Sequence, residues 1–270
     1  MIKLICCDLD GTLLNAKKEI TKENKEAIAK FRSLGGHFVL ATGRPLNGVK
    51  RIIEELNLTD SSDTTLTYNG GVIMENISKR VLAKTCIKGS LVKELYYESK
   101  RLGTYFHFFS EDNTLYTTEP NPYTLVEETI NQIHAETIDI NDVKDDQLYI
   151  KAMMVASKEV LDNIRDKVDP KFSFLEITRS SKIFLEFHSK EISKGKGLLF
   201  LKDYYHLSDD ETMAIGDEEN DLSMIKAAFL GVAMENARDS VKESAKFITL
   251  DNESSGVAYA INELILKDTK

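Results

Sequence analysis

The sequence predicts an α/β fold in which a doubly wound parallel sheet forms the core and a smaller α+β domain is inserted. Near-continuous apolar runs alternate with amphipathic helical patterns at both ends of the chain, which is typical of βαβ units. The middle of the chain instead carries pairs of alternating strands, which favour antiparallel hairpins. We therefore expect a core formed by residues 1–83 and 190–270 and an inserted domain over residues 84–189.

The first βαβ unit is predicted from residues 3–41. Apolar runs at its two ends flank a helical pattern over residues 21–34, whose apolar residues recur on one face. Thr21 is suited to cap the start of this helix, and Gly35 with Gly36 to end it. A helix over residues 45–58 and a strand over residues 65–68 continue the alternation.

The same alternation returns near residue 194 and continues to the end of the chain. The predicted helices there are residues 194–205, 221–228, 237–245 and 257–266, and the predicted strands are residues 212–215, 231–233 and 247–250. In the middle, strands 105–109 and 115–118 form one predicted pair and strands 172–177 and 182–188 another, with helices such as 91–102 and 159–168 between them. Two α/β segments thus flank a different module.

Composition and charge narrow the functional classes. The chain has 270 residues and a formal net charge of −9, which disfavours nucleic-acid binding and binding to anionic membranes, because both need a cationic surface. No segment approaches the roughly 18 apolar residues that a membrane span needs. The first nine residues reach Asp8 too early to form a signal peptide. The charge balance suits a cytoplasmic enzyme, which we expect to be monomeric or homodimeric.

The three cysteines suggest neither a disulfide framework nor a zinc site. Cys6 and Cys7 are adjacent within a predicted strand, and Cys86 is far away in the sequence. We expect buried, reduced thiols.

The run Asp-Leu-Asp-Gly-Thr (8–12) follows the first predicted strand directly. Asp8 and Asp10 should therefore lie at the carboxyl end of a parallel strand, where doubly wound sheets bind ligands. A carboxylate attacks a phosphate dianion only when a cation screens the repulsion, so Mg²⁺ is the expected cofactor. A solvated acidic turn is the structural alternative.

A second acidic run, Gly-Asp-Glu-Glu-Asn-Asp (216–221), also follows an apolar strand and precedes a helix. Magnesium prefers a few carboxylates together with water and substrate oxygens. The expected metal ligands are therefore Asp8, Asp217 and the backbone carbonyl of Asp10. An acidic first helical turn favoured by the helix dipole is the alternative explanation.

Two further segments could bind phosphate. Thr42 and the backbone N–H beyond Gly43, followed by Arg44, close the second predicted strand and can hold phosphoryl oxygens. Lys194 and Lys196 open a helix in a Ser-Lys-Gly-Lys-Gly run (193–197), which does not fit a Walker A loop. One of these lysines could offset the carboxylates, whereas a polar turn and a solvated basic turn are the structural alternatives.

Together these segments resemble the haloacid dehalogenase superfamily, and within it the Cof-type (subfamily IIB) sugar phosphatases with a large α+β cap domain. The resembling motifs are DLDGT (8–12), ATGRP (41–45), SKG (193–195) and GDEEND (216–221); YNG (68–70) and GVAMENA (231–237) also match the family pattern. The resemblance covers nearly the whole chain. It implies a Rossmann-like core and a cap domain that decides the substrate.

The resemblance also implies a role for each matched residue. Asp8 is the nucleophile that forms an aspartyl-phosphate, and Asp10 is the general acid and then the general base. Phosphate-binding roles fall to Thr42, Gly43, Arg44, Lys194 and Asn220, and Asp221 supports the metal site. The sequence departs from the usual pattern at Glu235, where a small residue is common, and at residues 254–256, where an acidic residue often precedes the glycine.

Other functions are compatible with parts of this pattern. A phosphotransferase or phosphomutase would deliver the phosphoryl group to a sugar hydroxyl instead of water. A phosphoacceptor switch also uses a strand-end aspartate, but it has a shorter chain, and Asp10 favours turnover. A binding protein on a degenerate scaffold is disfavoured by the intact motif set. We interpret the histidines of the inserted domain, His107, His134 and His188, as structural or surface residues rather than substrate ligands.

Overall fold

The computed structural model describes residues 1–267. They divide into two compact units. The core unit consists of residues 1–42, 51–82 and 193 to the end of the described chain, and the inserted unit of residues 43–50 and 83–192. No described helix is both long and apolar enough to cross a membrane.

The strands and helices alternate along the chain as follows. The strands are β1 Leu4–Cys7, β2 His37–Ala41, β3 Thr64–Thr67, β4 Val72–Glu75, β5 Val81–Lys84, β6 Ile87–Lys88, β7 Tyr105–Ser110, β8 Leu115–Thr117, β9 Ala135–Thr137, β10 Leu148–Val155, β11 Leu175–Ser181, β12 Phe184–Ser189, β13 Thr212–Gly216, β14 Leu230–Ala233 and β15 Phe247–Ile248. The α-helices are α1 Lys22–Ser33, α2 Lys50–Glu55, α3 Gly89–Leu102, α4 Pro122–Asn131, α5 Lys158–Lys171, α6 Lys194–Tyr204, α7 Leu222–Ala227, α8 Asp239–Ser244 and α9 Gly256–Ile261. Short 3₁₀ turns lie at Leu46–Val49, Tyr68–Gly70, Ile140–Asp142, Asp209–Glu211 and Glu219–Asp221, and a π-helical turn lies at Asn262–Leu266.

The sheet of the core unit has the order β15-β14-β13-β1-β2-β3-β4-β5. Its strands from β15 to β3 are parallel, and β4 joins β3 in antiparallel orientation. Every residue of β1 is buried, as expected for a strand covered on both faces. The prediction of an α/β fold with a parallel sheet core is confirmed, and the antiparallel strand β4 was not predicted.

Helix α1 shows how local signals fix an element of this unit. The Thr21 hydroxyl accepts the Asn24 backbone N–H at 3.3 Å, which satisfies one of the open donors of the first helical turn. Ala27, Ile28 and Phe31 are buried on one face of the helix. The predicted cap is confirmed, and so is the predicted apolar face at Ile28 and Phe31; Leu34, expected on the same face, is exposed because the helix ends before it.

The sheet of the inserted unit has the order β11-β12-β10-β7-β8-β9, with β6 paired to β10. All its pairs are antiparallel except β8 with β9. One face carries an apolar core that includes Phe106, Phe108, Met154, Leu185 and Phe187. An α+β module therefore occupies the middle of the chain.

The opposite face of this second sheet is also buried, but it is polar. Lys151 and Glu186, which are 1% and 3% exposed, form an ion pair at 3.1 Å, and His188 Nε2 contacts Glu186 at 2.8 Å. We call these three residues the Lys151 cluster. Burial opposes ionisation of Glu186, but Lys151 and His188 outweigh it, so the pKa of Glu186 lies below its usual range. Lys151 and Glu186 thus offset each other's charge.

Glu127 of α4 is buried near the same polar face. Burial raises the pKa of Glu127 to about 7; Lys151 and Arg44 oppose the rise, and Glu186 adds to it. His107 contacts Thr124 at 3.0 Å, and burial lowers its pKa to about 3, so this imidazole is neutral. The structural interpretation of His107 agrees with these contacts, and the His134 side chain is 92% exposed.

The structure corrects several predicted boundaries. Residues 43–50, assigned to the core from the sequence, belong to the inserted unit, where Gly48 lies close to Asn131 of α4. The helix predicted over residues 45–58 is limited to a 3₁₀ turn and α2, which ends at Glu55. The strand predicted from residue 172 begins only at Leu175, because α5 continues through Pro170 to Lys171.

Candidate active site

The two acidic motifs meet at one edge of the core sheet. Strands β1 and β13 are parallel neighbours in which Cys7 lies opposite Ile215, and the Asp8 N–H donates to the Ile215 carbonyl at 3.0 Å. Asp8 and Asp217 therefore emerge together at the carboxyl ends of the two strands. This is the position at which doubly wound sheets bind ligands.

Lys194 joins two of the aspartates. Its ammonium group lies 2.5 Å from Asp8 Oδ1 and 2.6 Å from Asp221 Oδ1, and its side chain is fully buried. Ser193 caps the start of α6 through the Lys196 N–H, which fixes the backbone from which Lys194 projects. Lys194, Asp8, Asp217 and Asp221 are called the Lys194 cluster below.

Asp221 also organises the acidic loop. Its Oδ2 accepts the backbone N–H groups of Asp217 at 2.9 Å and Glu218 at 3.0 Å. Because Oδ1 accepts from Lys194, both oxygens of Asp221 are occupied by donors within the protein. Asp221 is thus placed to support neighbouring groups.

Residues of the first acidic motif, DLDGT (8–12), hold Asp217 in place. The Thr12 hydroxyl donates to Asp217 Oδ1 at 2.6 Å, a contact that the motif alone does not predict. Gly11 lies beside the same carboxylate in a left-handed conformation, with φ of 89°, and a side chain there would collide with Asp217. The Gly-Thr pair of the motif therefore makes room for Asp217 and orients it.

The Lys194 cluster is short of positive charge. Burial raises the pKa of Asp8 well above its usual range, with Lys194 opposing the rise and Asp221 and Asp217 adding to it. Burial likewise raises the pKa of Asp217 to about 7. Lys194 keeps its proton, because the carboxylates of Asp221 and Asp8 outweigh the effect of burial and raise its pKa. One lysine does not compensate the three carboxylates.

This donor set fits a divalent cation. One oxygen from each of Asp8, Asp217 and Asp221 can be chosen such that all three lie within 4.8 Å of one another. Hard carboxylate oxygens are the ligands that Mg²⁺ prefers, and a bound cation would supply the missing positive charge. Because Asp221 already binds Lys194 and two backbone donors, Asp8 and Asp217 are the better direct ligands.

The Asp10 carboxylate is paired with a lysine outside the Lys194 cluster. Its carboxylate forms an ion pair with Lys18 at 2.6 Å, and its side chain is 40% exposed. Arg51 holds the backbone of Lys18 in turn, because its guanidinium donates to the Lys18 carbonyl at 2.8 Å. No signal in the sequence indicated that Lys18 would pair with Asp10.

The predicted phosphate-binding residues are distributed over both units. Thr42 is buried in the core unit; its N–H donates to Leu66 at 2.9 Å, and its carbonyl accepts from Asn69 at 2.9 Å. Gly43 and Arg44 belong to the inserted unit, where an Arg44 guanidinium N–H donates to the Gly48 carbonyl at 3.2 Å. Asn220 lies in the core unit and donates through Nδ2 to Asn69 Oδ1 at 2.9 Å.

Two thiols lie directly before the candidate nucleophile. Cys6 and Cys7 are buried residues of β1 with free thiols, and the Cys7 thiol donates to the Asp8 carbonyl at 3.2 Å. Burial raises the pKa of Cys6 to about 12 and that of Cys7 well above its usual range. Both thiols are therefore protonated structural groups.

A family model described as haloacid dehalogenase-like hydrolase matches residues 5–261, which is nearly the whole chain. The fold and the carboxylate-rich strand ends thus define a hydrolase of the α/β class. The chain belongs to the haloacid dehalogenase-like hydrolase family.

Similar proteins cover the chain from end to end. The chain is 37% identical over 272 residues to the presumed phosphatase YxeH of Bacillus subtilis, covering 98% of this chain and 99% of that one. It is 32% identical over 267 residues to 5-amino-6-(5-phospho-D-ribitylamino)uracil phosphatase YcsE of the same organism, covering 98% and 96%. Among solved structures, the subclass IIB sugar phosphatase BT4131 aligns with a TM-score of 0.81 at 25% identity, covering 96% and 98%. The family and these relatives identify the chain as a phosphatase.

Proposed function

We propose that the protein is a Mg²⁺-dependent phosphatase that hydrolyses small phosphate monoesters, above all sugar phosphates, through an aspartyl-phosphate on Asp8. The observation that carries this proposal is the Lys194 cluster, in which Asp8 is hydrogen-bonded to a fully buried lysine beside two further carboxylates. Phosphoryl transfer needs positioning and charge neutralisation above all, and this cluster is suited to both.

The proposed reaction has two steps. An Asp8 carboxylate oxygen attacks the phosphorus, the ester P–O bond breaks, and the leaving alcohol oxygen takes a proton from Asp10. A water molecule then attacks the phosphorus of the aspartyl-phosphate, Asp10 takes its proton, and inorganic phosphate leaves while the Asp8 carboxylate is restored. Because Asp10 pairs with Lys18 in this structure, its role requires the carboxyl group to turn towards the ester oxygen.

The metal would be held by Asp8, Asp217 and the backbone carbonyl of Asp10, with Asp221 as a supporting group. When bound, Mg²⁺ neutralises the charge between the nucleophile and the phosphate. Asp221 keeps Lys194 and the acidic loop in place through its three hydrogen bonds. Thr12 orients the Asp217 carboxylate.

The remaining roles concern the phosphoryl oxygens. Lys194 is suited to stabilise both Asp8 and the transferring group, because its buried ammonium is a permanent positive charge. Thr42 and Asn220 are the proposed phosphate ligands in the core unit. The same role for Gly43 and Arg44 rests on the sequence motif alone.

The proposed substrate class rests on relatives. YcsE is named for a phosphorylated ribityl compound, and BT4131 for sugar phosphates, so both names describe a phosphate ester on a polyhydroxylated chain. We propose a small phosphorylated metabolite of this type. The inserted unit would act as the cap that selects it.

The nucleophile is tested with purified protein, an aryl phosphate and Mg²⁺. Asp8→Asn should reduce phosphate release to background, because an amide cannot attack phosphorus. Asp166→Asn, which changes an exposed aspartate in the inserted unit, is the matched control and should keep the wild-type rate. After rapid acid quench, wild-type protein should carry one phosphoryl group by mass spectrometry. A near-normal rate in Asp8→Asn would exclude the covalent route.

The metal is tested by a measurement other than activity. Mg²⁺ at 100 times its dissociation constant should stabilise the wild-type fold by roughly 2.7 kcal/mol in a thermal melt. The same addition should have little effect on Asp217→Asn, whereas Asp10→Asn should keep the stabilisation and lose most turnover. Activity that survives EDTA would refute the cation requirement.

The substrate class is tested with a panel of phosphate esters. Sugar and polyol phosphates should give higher kcat/KM than nucleoside monophosphates, and the opposite ranking would overturn the assignment. The alternative activity, phosphotransfer to a sugar, is measured in the same panel. Phosphate that appears on an added acceptor sugar instead of in solution would identify a phosphotransferase or mutase.

A further inference from the structure

The 3₁₀ turn Tyr68–Gly70 directly follows β3 in the core unit. Tyr68 and Asn69 both have left-handed backbones, with φ of 52° and 58°. A non-glycine residue in this region costs on the order of 1–3 kcal/mol and persists only where its surroundings enforce it. Two such residues in succession indicate that the turn has a purpose beyond connecting β3 to β4.

The turn contacts three segments that carry predicted site residues. The Asn69 N–H donates to the Thr42 carbonyl at 2.9 Å, and Asn69 Oδ1 accepts from Asn220 Nδ2 at 2.9 Å. Gly70, with φ of 99°, packs so closely that an added methyl group would lie 2.5 Å from the Ser193 carbonyl oxygen. Ser193 is the residue before Lys194. All of these contacts lie within the core unit.

Asn69 is 5% exposed, and its Nδ2 has no acceptor among residues 1–267. Burying an unsatisfied donor costs on the order of 1–3 kcal/mol. An apolar side chain would avoid this cost if the position served only packing. The Asn69 side chain can therefore act on the site through the bond that its Oδ1 accepts from Asn220.

We propose that Asn69 is a positioning residue of the phosphate site. Its Oδ1 holds the Asn220 amide in place, its backbone N–H holds the end of β2 at Thr42, and the left-handed turn brings both groups together. The inference rests on the proposed function, because it assumes that Thr42 and Asn220 bind the phosphoryl group.

The experiment compares Asn69→Gly, Asn220→Ala and the double variant. Asn69→Gly removes the amide while glycine accepts the left-handed backbone without strain. Losing one neutral hydrogen bond should reduce kcat/KM for an aryl phosphate by about tenfold, mainly through KM. Because both single changes remove the same interaction, the double variant should lose little more than Asn220→Ala alone. Additive losses, or an unchanged KM in Asn69→Gly, would overturn the proposal.

Asn57→Gly is the matched control. Asn57 is also left-handed, with φ of 51°, but it is exposed and makes none of these contacts, so its kcat/KM should remain that of the wild type. Asn69→Ala should lose as much activity as Asn69→Gly but melt at a lower temperature, because alanine retains the backbone strain.

A second measurement does not depend on catalysis. In an ¹⁵N spectrum of the full chain, the side-chain amide signals of Asn220 should shift in Asn69→Gly and remain unchanged in Asn57→Gly. If the wild-type protein proves inactive while this shift occurs, the proposed function fails but the link between Asn69 and Asn220 stands. If activity falls without any shift, Asn69 does not act through Asn220.

Discussion

Each unit contains a fully or nearly fully buried lysine among acidic side chains, but the two clusters differ in charge. In the Lys194 cluster, three carboxylates surround one lysine, and the pKa values of Asp8 and Asp217 are raised. In the Lys151 cluster, Glu186 has Lys151 and His188 as partners, and its pKa is lowered. The first cluster has two more carboxylates than lysines, whereas Lys151 and Glu186 of the second are matched one to one.

The difference shows how a buried charge network can be assigned a purpose. A buried ion pair whose charges balance is compatible with a structural role, because each ion offsets the desolvation of the other. A buried excess of one sign must be compensated by a proton or a ligand, and such groups cluster at functional sites. Charge balance therefore separates a candidate metal site from a structural network better than burial alone.

The largest expected difference between the clusters is catalytic. Lys194→Ala should reduce kcat for an aryl phosphate by about 10²–10³-fold, the loss typical of removing one preorganised group at a developing charge. Lys196→Ala changes an exposed lysine of the same helix and should remain within a few fold of the wild type. Circular dichroism of both variants checks that the fold is retained. The reverse ranking would show that the wrong lysine had been assigned.

The second difference concerns stability. Lys151→Met leaves the buried Glu186 carboxylate without its lysine partner and should lower the free energy of unfolding by about 3–5 kcal/mol. The double variant Lys151→Met with Glu186→Leu should recover most of this loss, as measured by urea unfolding. The folded fraction of either variant should keep the wild-type kcat. A fall in kcat comparable to that of Lys194→Ala would mean that the Lys151 cluster is catalytic as well.

The smallest effect depends on pH and comes from Glu127, which faces Lys151, Glu186 and Arg44. Its raised pKa means that the folded state binds a proton more tightly than the unfolded state. The resulting stabilisation is complete below the usual value of 4.5 and is lost as the pH rises through about 7. Glu127→Gln should therefore gain up to about 3 kcal/mol over the wild type at pH 8 and little at pH 4.5. Equal differences at both pH values in urea unfolding would contradict this assignment.

The positions of the main site residues could be predicted because they depend on strand ends. Asp8 and Asp217 each follow an apolar strand directly, and parallel neighbours in a sheet bring such residues to one edge. Lys194 follows a serine that caps a helix, which is also a local signal. A sequence pattern predicts these positions, because the residues at the end of a strand or at the start of a helix mark that boundary locally.

Contacts set by tertiary packing were not predictable. Strand β10 at the centre of the second sheet was not among the predicted strands. Lys151 interrupts its apolar run, and pairing with Glu186 offsets the cost of burying that lysine. The pairing of Asp10 with Lys18 depends on how the loop after β1 folds back. Asn69 lies in a run that matches the family pattern, YNG (68–70). Its bond to Asn220 could not be predicted, because the two residues are 151 positions apart in the sequence.

The buried thiols of Cys6 and Cys7, beside Asp8, affect how such an enzyme would respond to oxidants. Peroxides and alkylating agents react with thiolates, and both Cys6 and Cys7 are buried with strongly raised pKa values. A phosphatase whose nucleophile is a cysteine loses activity when that thiolate is oxidised. A carboxylate nucleophile flanked by inaccessible thiols would continue to turn over under conditions of oxidative stress.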